Sequence, residues 1–167
     1  QVMLAQGGHG GHTVDSFRPP VKTVGIIGVD NNQIGKIGSQ RLSGRVKCLT
    51  IDVRQPAAPF LGTFDLIVSN PPYVTTAEME TLDPSVRDYE PHLALWGGDD
   101  GLDFYRAIVR NFTPALNPGG WLCLEFGMGQ DAAVCDLLRR AGYEIAELKK
   151  DTADITRAVL ARKREEG

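Results

Sequence analysis

Asn70-Pro71-Pro72-Tyr73 is a stretch whose residue types can do chemistry. The Asn70 side chain offers a carbonyl acceptor and an NH2 donor. The Pro71 carbonyl belongs to a residue without an N–H, on a backbone whose φ is fixed. Two acceptors side by side suit a planar NH2 group, which has two hydrogens to give. Tyr73 adds a flat face for packing, and such a face also attracts a cation or a nitrogen gaining positive charge. An amide or aromatic amine held this way keeps its remaining face open to an electrophile. The chemistry is transfer of a group to a planar nitrogen, driven by orientation. Asn-Pro is also an ordinary turn starter, so the tetrapeptide alone can also be read as a plain loop, the less favoured reading.

What must position it is the run Phe64-Asp65-Leu66-Ile67-Val68-Ser69. Apolar and β-branched residues predict a buried parallel strand. The two prolines stop it, because each removes a backbone donor and restricts its predecessor. A stiff polar loop at the carboxyl end of a buried strand is where open α/β sheets bind ligands. Upstream, Val24 to Asp30 reads as a short buried strand ending in an acid. An acid at such a strand end accepts hydrogen bonds from ribose hydroxyls, which makes Asp30 a candidate cofactor residue. It is also readable as the start of a polar turn, Asp30-Asn31-Asn32. Gln33 to Gly44 should be a crossover helix, weakened by Gly35, Gly38 and Gly44. Val46 to Val53 is the next strand and also carries an acid, Asp52.

Downstream, Thr75-x-x-Glu78 is a capping box and predicts a short helix to Leu82. Asp83 to Gly101 is a long loop rich in Pro, Gly and Asp. Its length suggests a functional segment covering the site, with Glu90 readable either as an orienting group or as a solvated acid. Leu102, Tyr105, Ile108, Val109 and Phe112 repeat at helical spacing, with Asp100 as cap. Asn117 to Gly120 is a turn, and Trp121 to Phe126 a buried strand with Glu125 toward the ligand edge. Asp131 caps a helix through Arg140, and Gly142 stops it. Tyr143 to Lys149 and Arg157 to Lys163 are two final strands. Arg162-Lys163-Arg164 reads as a solvated tail.

The 167 residues suit one domain with a sizeable core. Residues 1–22, rich in glycine, read as an irregular, mobile segment, and 23–167 as the catalytic domain. Hydrophobic residues make up 42% and charged residues 23%, an ordinary globular balance. A net charge of −3 and a pI near 5.6 argue against a broad nucleic-acid-binding face. Cys48, Cys123 and Cys135 lack metal-ligand spacing and read as buried reduced thiols. His9 and His12 lack further ligands, so no metal is expected. No apolar run is long enough to span a membrane, and a cytoplasmic protein is expected.

Asn-Pro-Pro-Tyr after Phe-Asp-Leu-Ile-Val-Ser resembles the motif of S-adenosylmethionine-dependent methyltransferases that act on planar nitrogens. Tyr89-Glu90-Pro91, Leu93-Ala94-Leu95, Gly97-Gly98 and Asp100-Gly101-Leu102-Asp103-Phe104-Tyr105 narrow the likeness. With Pro118 to Leu122, Leu124 to Gly127 and Gln130, they resemble the HemK-type family. That family methylates the glutamine side-chain nitrogen in the Gly-Gly-Gln motif of peptide chain release factors. The resemblance covers roughly Arg45 to Arg162. It implies an α/β Rossmann-like class I methyltransferase sheet, mostly parallel with an antiparallel strand near the C-terminus. It implies Asn70, Pro71, Pro72 and Tyr73 as catalytic residues and S-adenosyl-L-methionine as cofactor. Asp30, Asp52, Val53 and Asn70 would hold that cofactor, with Asp52 and Val53 at the adenine. The expected partner is a release factor, met by a monomer, with no membrane and no nucleic acid involved. The family pattern Asp-x-Gly-x-Gly-x-Gly does not stand in this chain. The sheet is therefore expected to be incomplete at its N-terminal end. Two other readings stay open: an adenine-N6 methyltransferase of nucleic acid, and a non-catalytic fragment that binds no cofactor.

Overall fold

In the computed structural model, residues 51–82 and 94–165 are described, together with the backbone of 2–6, 23–27, 46–49 and 92–93. Seven strands form one sheet: Val2–Gln6 (β1), Thr23–Ile27 (β2), Val46–Leu49 (β3), Phe64–Ser69 (β4), Leu116–Glu125 (β5), Tyr143–Lys150 (β6) and Thr156–Lys163 (β7). Their order is β3-β1-β2-β4-β5-β7-β6. β2 pairs β4, and β4 pairs β5, in parallel. β1 is antiparallel to both β2 and β3, and β7 to both β5 and β6. It follows that β2, β3, β4, β5 and β6 share one direction, while β1 and β7 run against them. The expected mostly parallel sheet with an antiparallel C-terminal strand is present. One edge of it collects the carboxyl ends of the five co-directed strands.

The N-terminal segment departs from expectation. Val2–Gln6 is a strand lying between β2 and β3, where residues 1–22 were read as irregular. The apolar run Val2-Met3-Leu4-Ala5 is long enough for a short strand, and the glycines that follow obscured it. β3 is over before Ile51, short of the expected Val53, and the expected continuation of β2 to Asp30 lies outside the described residues. The expected helix at 33–44, Asp30, Glu90, and His9 and His12 lie outside the described residues.

Parallel neighbours need a crossover, and helices supply it. The helices are Thr76–Thr81 (α1), His92–Leu95 (α2), Asp103–Phe112 (α3) and Asp131–Arg140 (α4). α3 carries the chain from β4 to β5. Its Tyr105, Ile108, Val109 and Phe112 are buried, as their spacing requires. α4 carries the chain from β5 past the β7 position to β6, and β7 then turns back between them. Val134, Cys135 and Leu138 are its buried face. Gly142, at φ +88°, ends it in the left-handed region that glycine tolerates. These side chains join Phe64, Ile67, Leu122, Leu124, Phe126, Tyr143 and Val159 in one core. Tyr143 shares a hydrogen bond with Thr113 Oγ1 at 2.8 Å, and burial pushes its phenol up to about 12.

The Asn117–Gly120 segment is a bulge inside β5 rather than a turn before it. Phe64 pairs Leu116 and Leu66 pairs Trp121, so Asp65 alone stands opposite four residues. Asn117 Nδ2 donates to Asp65 Oδ1 at 2.8 Å and closes the bulge. The basic run is not a solvated tail. Lys163 Nζ donates to the carbonyls of Thr113 and Leu116 at 3.0 and 2.9 Å, and the Arg162 guanidinium lies 5.8 Å from the Trp121 ring centroid. An antiparallel strand beside the end of α3 brings these cations to free carbonyls, which composition could not indicate.

Candidate active site

β4 delivers Asn70 to the carboxyl edge because its buried residues end at Ser69 and the prolines forbid continuation. Asn70 is exposed, Pro71 and Pro72 are buried, and Tyr73 is half-buried. Neither the Asn70 side chain nor the Pro71 carbonyl has a hydrogen-bond partner among the described residues. Ser69, one residue earlier, is 2% exposed, and its Oγ is buried without a partner.

The rest of the loop is pinned from several sides. Val74 N donates to Leu95 O at 2.9 Å and Gly97 N donates to Val74 O at 2.8 Å. This makes a parallel bridge between Val74 and Trp96. Thr76 Oγ1 accepts from Trp96 Nε1 at 3.0 Å and donates to Asp99 Oδ1 at 2.8 Å. The α1 cap is the expected capping box, with Glu78 N donating to Thr75 Oγ1 and Thr75 N to Glu78 Oε2. The chain from α2 to Gly101 thus lies against the loop's exit. Gly97 permits this, since a Cβ there would stand 2.7 Å from Pro72 O and 2.8 Å from Tyr73 Cα.

Tyr73 is held by groups that the residue pattern did not single out as partners. Arg157, near the start of β7, places its guanidinium 5.8 Å from the Tyr73 ring centroid, and its Nη2 donates to the Tyr73 hydroxyl at 3.4 Å. Asp151 lies 3.7 Å from Arg157 Nε. A cation of the chain itself therefore stands on the ring that was expected to receive a substrate or a cation. Gln130 Nε2 donates to Tyr73 O at 2.9 Å. Glu125 ends β5 half-buried, and its carbonyl accepts from the Tyr105 hydroxyl at 2.9 Å. Burial of Tyr105 raises its phenol far above the ordinary value.

Of the cofactor candidates, Asp52 and Val53 are hydrogen-bonded to Arg54 and Asn111, which line a concave surface at the amino edge of the sheet and not at the Asn70 loop. The Asp52 carboxylate accepts from Arg54 N and Nε at Oδ1 (3.0 and 2.9 Å) and from Nη2 at Oδ2 (3.0 Å). The Arg54 contacts hold the Asp52 carboxyl below the usual carboxylate range. A carboxylate has about four acceptor positions, so this exposed group retains room for a hydroxyl. Val53 is half-buried, and its carbonyl accepts from Asn111 Nδ2 at 2.9 Å. That concave surface, of about 730 Å³, is lined by Arg54, Ala57, Gly62, Arg110 and Pro114 among others. Gly62 and Pro114 precede β4 and β5, so it sits about a strand length, roughly 20 Å, from Asn70. No group of three or more His, Cys, Asp or Glu able to hold a metal is found among the described residues. No helix among them is long and apolar enough to cross a membrane.

A mainly co-directed sheet, helices α3 and α4 as crossovers, and an antiparallel β7 inserted before β6 make a Rossmann-like α/β fold, with Asn-Pro-Pro-Tyr at the end of β4. Among known proteins, the sequence is similar to release factor glutamine methyltransferases. It is 52% identical over 99 residues to the one from Geobacter sulfurreducens, covering 59% of this chain and 35% of that protein. It is 39% identical over 137 residues to the one from Clostridium acetobutylicum, covering 81% of this chain and 48% of that protein. The chain thus spans between a third and a half of the length of these curated relatives. No family model matches it. Among solved structures, it is similar to the release-factor-specific protein-(glutamine-N5) methyltransferase from Alicyclobacillus acidocaldarius. That match has 23% identity and a TM-score of 0.40, and covers 81% of this chain and 63% of that one. The N-methyltransferase NodS from Bradyrhizobium japonicum, solved with S-adenosyl-l-homocysteine, matches at 19% identity and a TM-score of 0.46, covering 84% and 65%.

Proposed function

We propose that this chain serves methyl transfer from S-adenosyl-L-methionine to the glutamine side-chain nitrogen of the Gly-Gly-Gln motif in a peptide chain release factor. The observation that carries the reading is the exposed Asn70, without a hydrogen-bond partner among the described residues, on a loop whose flanks are otherwise fixed. A side chain left free on a rigid support is set to bind something from outside. An amide nitrogen is a poor nucleophile because its lone pair is delocalised. The Asn70 and Pro71 carbonyls would accept its two hydrogens and aim its open face. When bound, the cofactor supplies an electrophilic methyl group on a sulfonium. Asp30 is suited to hydroxyls of its nucleoside part. The contribution of the chain is orientation and electrostatics.

Protein is favoured over nucleic acid as substrate. Between Val74 and Asp103 only Arg87 is basic, against Glu78, Glu80, Asp83, Asp88, Glu90, Asp99, Asp100 and Asp103. That field opposes a phosphate backbone near the loop. The reading makes the protein a cytoplasmic monomer acting on a flexible protein loop. The test is a competition in one tube, with labelled cofactor, release factor and single-stranded and duplex DNA at low salt. Label in the release factor glutamine is the expected result. Label in DNA overturns the substrate, and no label in either overturns the activity.

A further inference from the structure

Gln130 lies between two parts of the site that no other described side chain joins by hydrogen bonds. Its Oε1 accepts from Gly127 N at 2.9 Å, and its Nε2 donates to Tyr73 O at 2.9 Å. The first contact is to the chain leaving β5 and the second to the Asn-Pro-Pro-Tyr loop leaving β4. A primary amide is suited to this place because it presents an acceptor and a donor from one planar group. Only one orientation of that amide satisfies both neighbours. Two glycines make room for it. A Cβ at Gly101 would stand 2.4 Å from both Gln130 Nε2 and Tyr73 O, and one at Gly127 would stand 3.0 Å from Gln130 Oε1. Gln130 also begins α4, through Val134 N donating to its carbonyl at 2.9 Å, so its backbone is anchored.

We propose that Gln130 is a positioning residue that clamps the Asn-Pro-Pro-Tyr loop to the end of β5 and so fixes the direction of the Asn70 and Pro71 acceptors. The catalytic consequence rests on the function proposed above; the clamp does not. β4 and β5 pair only as far as Ser69 and Leu124, so backbone pairing stops short of the loop. Beyond that point the Gln130 amide takes over the role of the ladder. Arg157 restrains the Tyr73 ring, but the carbonyl next to the prolines is held by Gln130 alone among the described residues.

The experiment uses the full chain and two substitutions, Gln130→Glu and Gln130→Met, read first by amide hydrogen exchange. At neutral pH an ionised carboxylate accepts from Gly127 N but cannot donate to Tyr73 O, which it repels. Protonated, the same group regains one donor and one acceptor. Exchange at Val74 and Gly97 should therefore be about tenfold faster than in the parent for Gln130→Glu at pH 7, while Gly127, still bonded to the carboxylate, keeps its protection. The ratio to parent should return toward one below about pH 5, near and above the ordinary carboxyl range. Gln130→Met should stay fast at both pH values. Amides paired between β5 and β7, such as Leu122 and Leu160, should remain protected throughout. Local exchange equal to the parent in both variants overturns the clamp. So does a uniform loss of protection across the sheet, or the absence of recovery at low pH for Gln130→Glu. Methyl transfer is the second readout, with kcat falling while KM for the cofactor holds. An inactive parent with the expected exchange pattern would sink the proposed function and leave the clamp standing.

Discussion

Gly97→Ala isolates how tightly the loop is seated. Gly97 has no left-handed φ, so alanine pays no special backbone cost there, and its whole effect comes from space. The added Cβ would meet Pro72 O at 2.7 Å, Tyr73 Cα at 2.8 Å and Gly101 O at 2.9 Å. All three are backbone atoms, so no side chain can swing away. Carbon–oxygen contacts settle at about 3.3 Å or more, so the loop must retreat by roughly half an ångström. Overpacking of this kind costs about 1–3 kcal/mol. A displacement approaching 1 Å can cost about 100-fold in rate. Gly129→Ala is the control. Its φ is +81° with nothing within 4 Å of a Cβ, so it pays a backbone cost of about 1–2 kcal/mol without touching the loop. Urea unfolding and methyl transfer, measured on both variants, separate the cases. Both should lose similar stability, and only Gly97→Ala should lose rate beyond what unfolding explains. Parental rate and a stability loss under about 0.5 kcal/mol for Gly97→Ala would refute the close seating.

Asn70→Ala should abolish transfer and leave the unfolding free energy within about 0.5 kcal/mol of the parent, because the side chain is exposed and has no partner among the described residues; a parallel collapse in stability would make it a structural turn residue. Ser69→Ala should be neutral or stabilising by up to about 1 kcal/mol, since it removes a buried hydroxyl without a partner; a loss above 1 kcal/mol in urea unfolding would show that the hydroxyl is satisfied in solution. Asp100 accepts from Arg106 and from Leu102 N, and the Arg106 contact holds its carboxyl below the ordinary range. A depressed folded value gives stability that is present above about pH 3.9 and is lost as pH falls through the folded value. Asp100→Asn should flatten the acid side of a stability-versus-pH curve, and an unchanged acid slope would refute that role for the pair.

Local pattern was enough wherever one short stretch holds both the cause and the consequence. The apolar, β-branched run and its abrupt stop at Phe64 to Tyr73 fixed β4 and its loop. The spacing of Tyr105, Ile108 and Phe112 fixed α3, Thr75 with Glu78 fixed the start of α1, and Gly142 fixed the end of α4. These are properties of backbone sterics and of the helical and strand periods, which act over a few residues. Tertiary structure decided what depends on pairs distant in the chain. The place of β1 between β2 and β3 depends on which edges are left to pair. The bulge at Asn117 is visible only against Asp65, 52 residues away. Arg157 reaches Tyr73 across 84 residues, and Gln130 reaches it across 57. A glutamine or an arginine in sequence has many possible partners, and its hydrogen-bonding groups do not say which one it meets. Packing of α4 and β7 beside the carboxyl edge selects that partner, and the same packing gives Gly97, Gly101 and Gly127 their closeness to the loop.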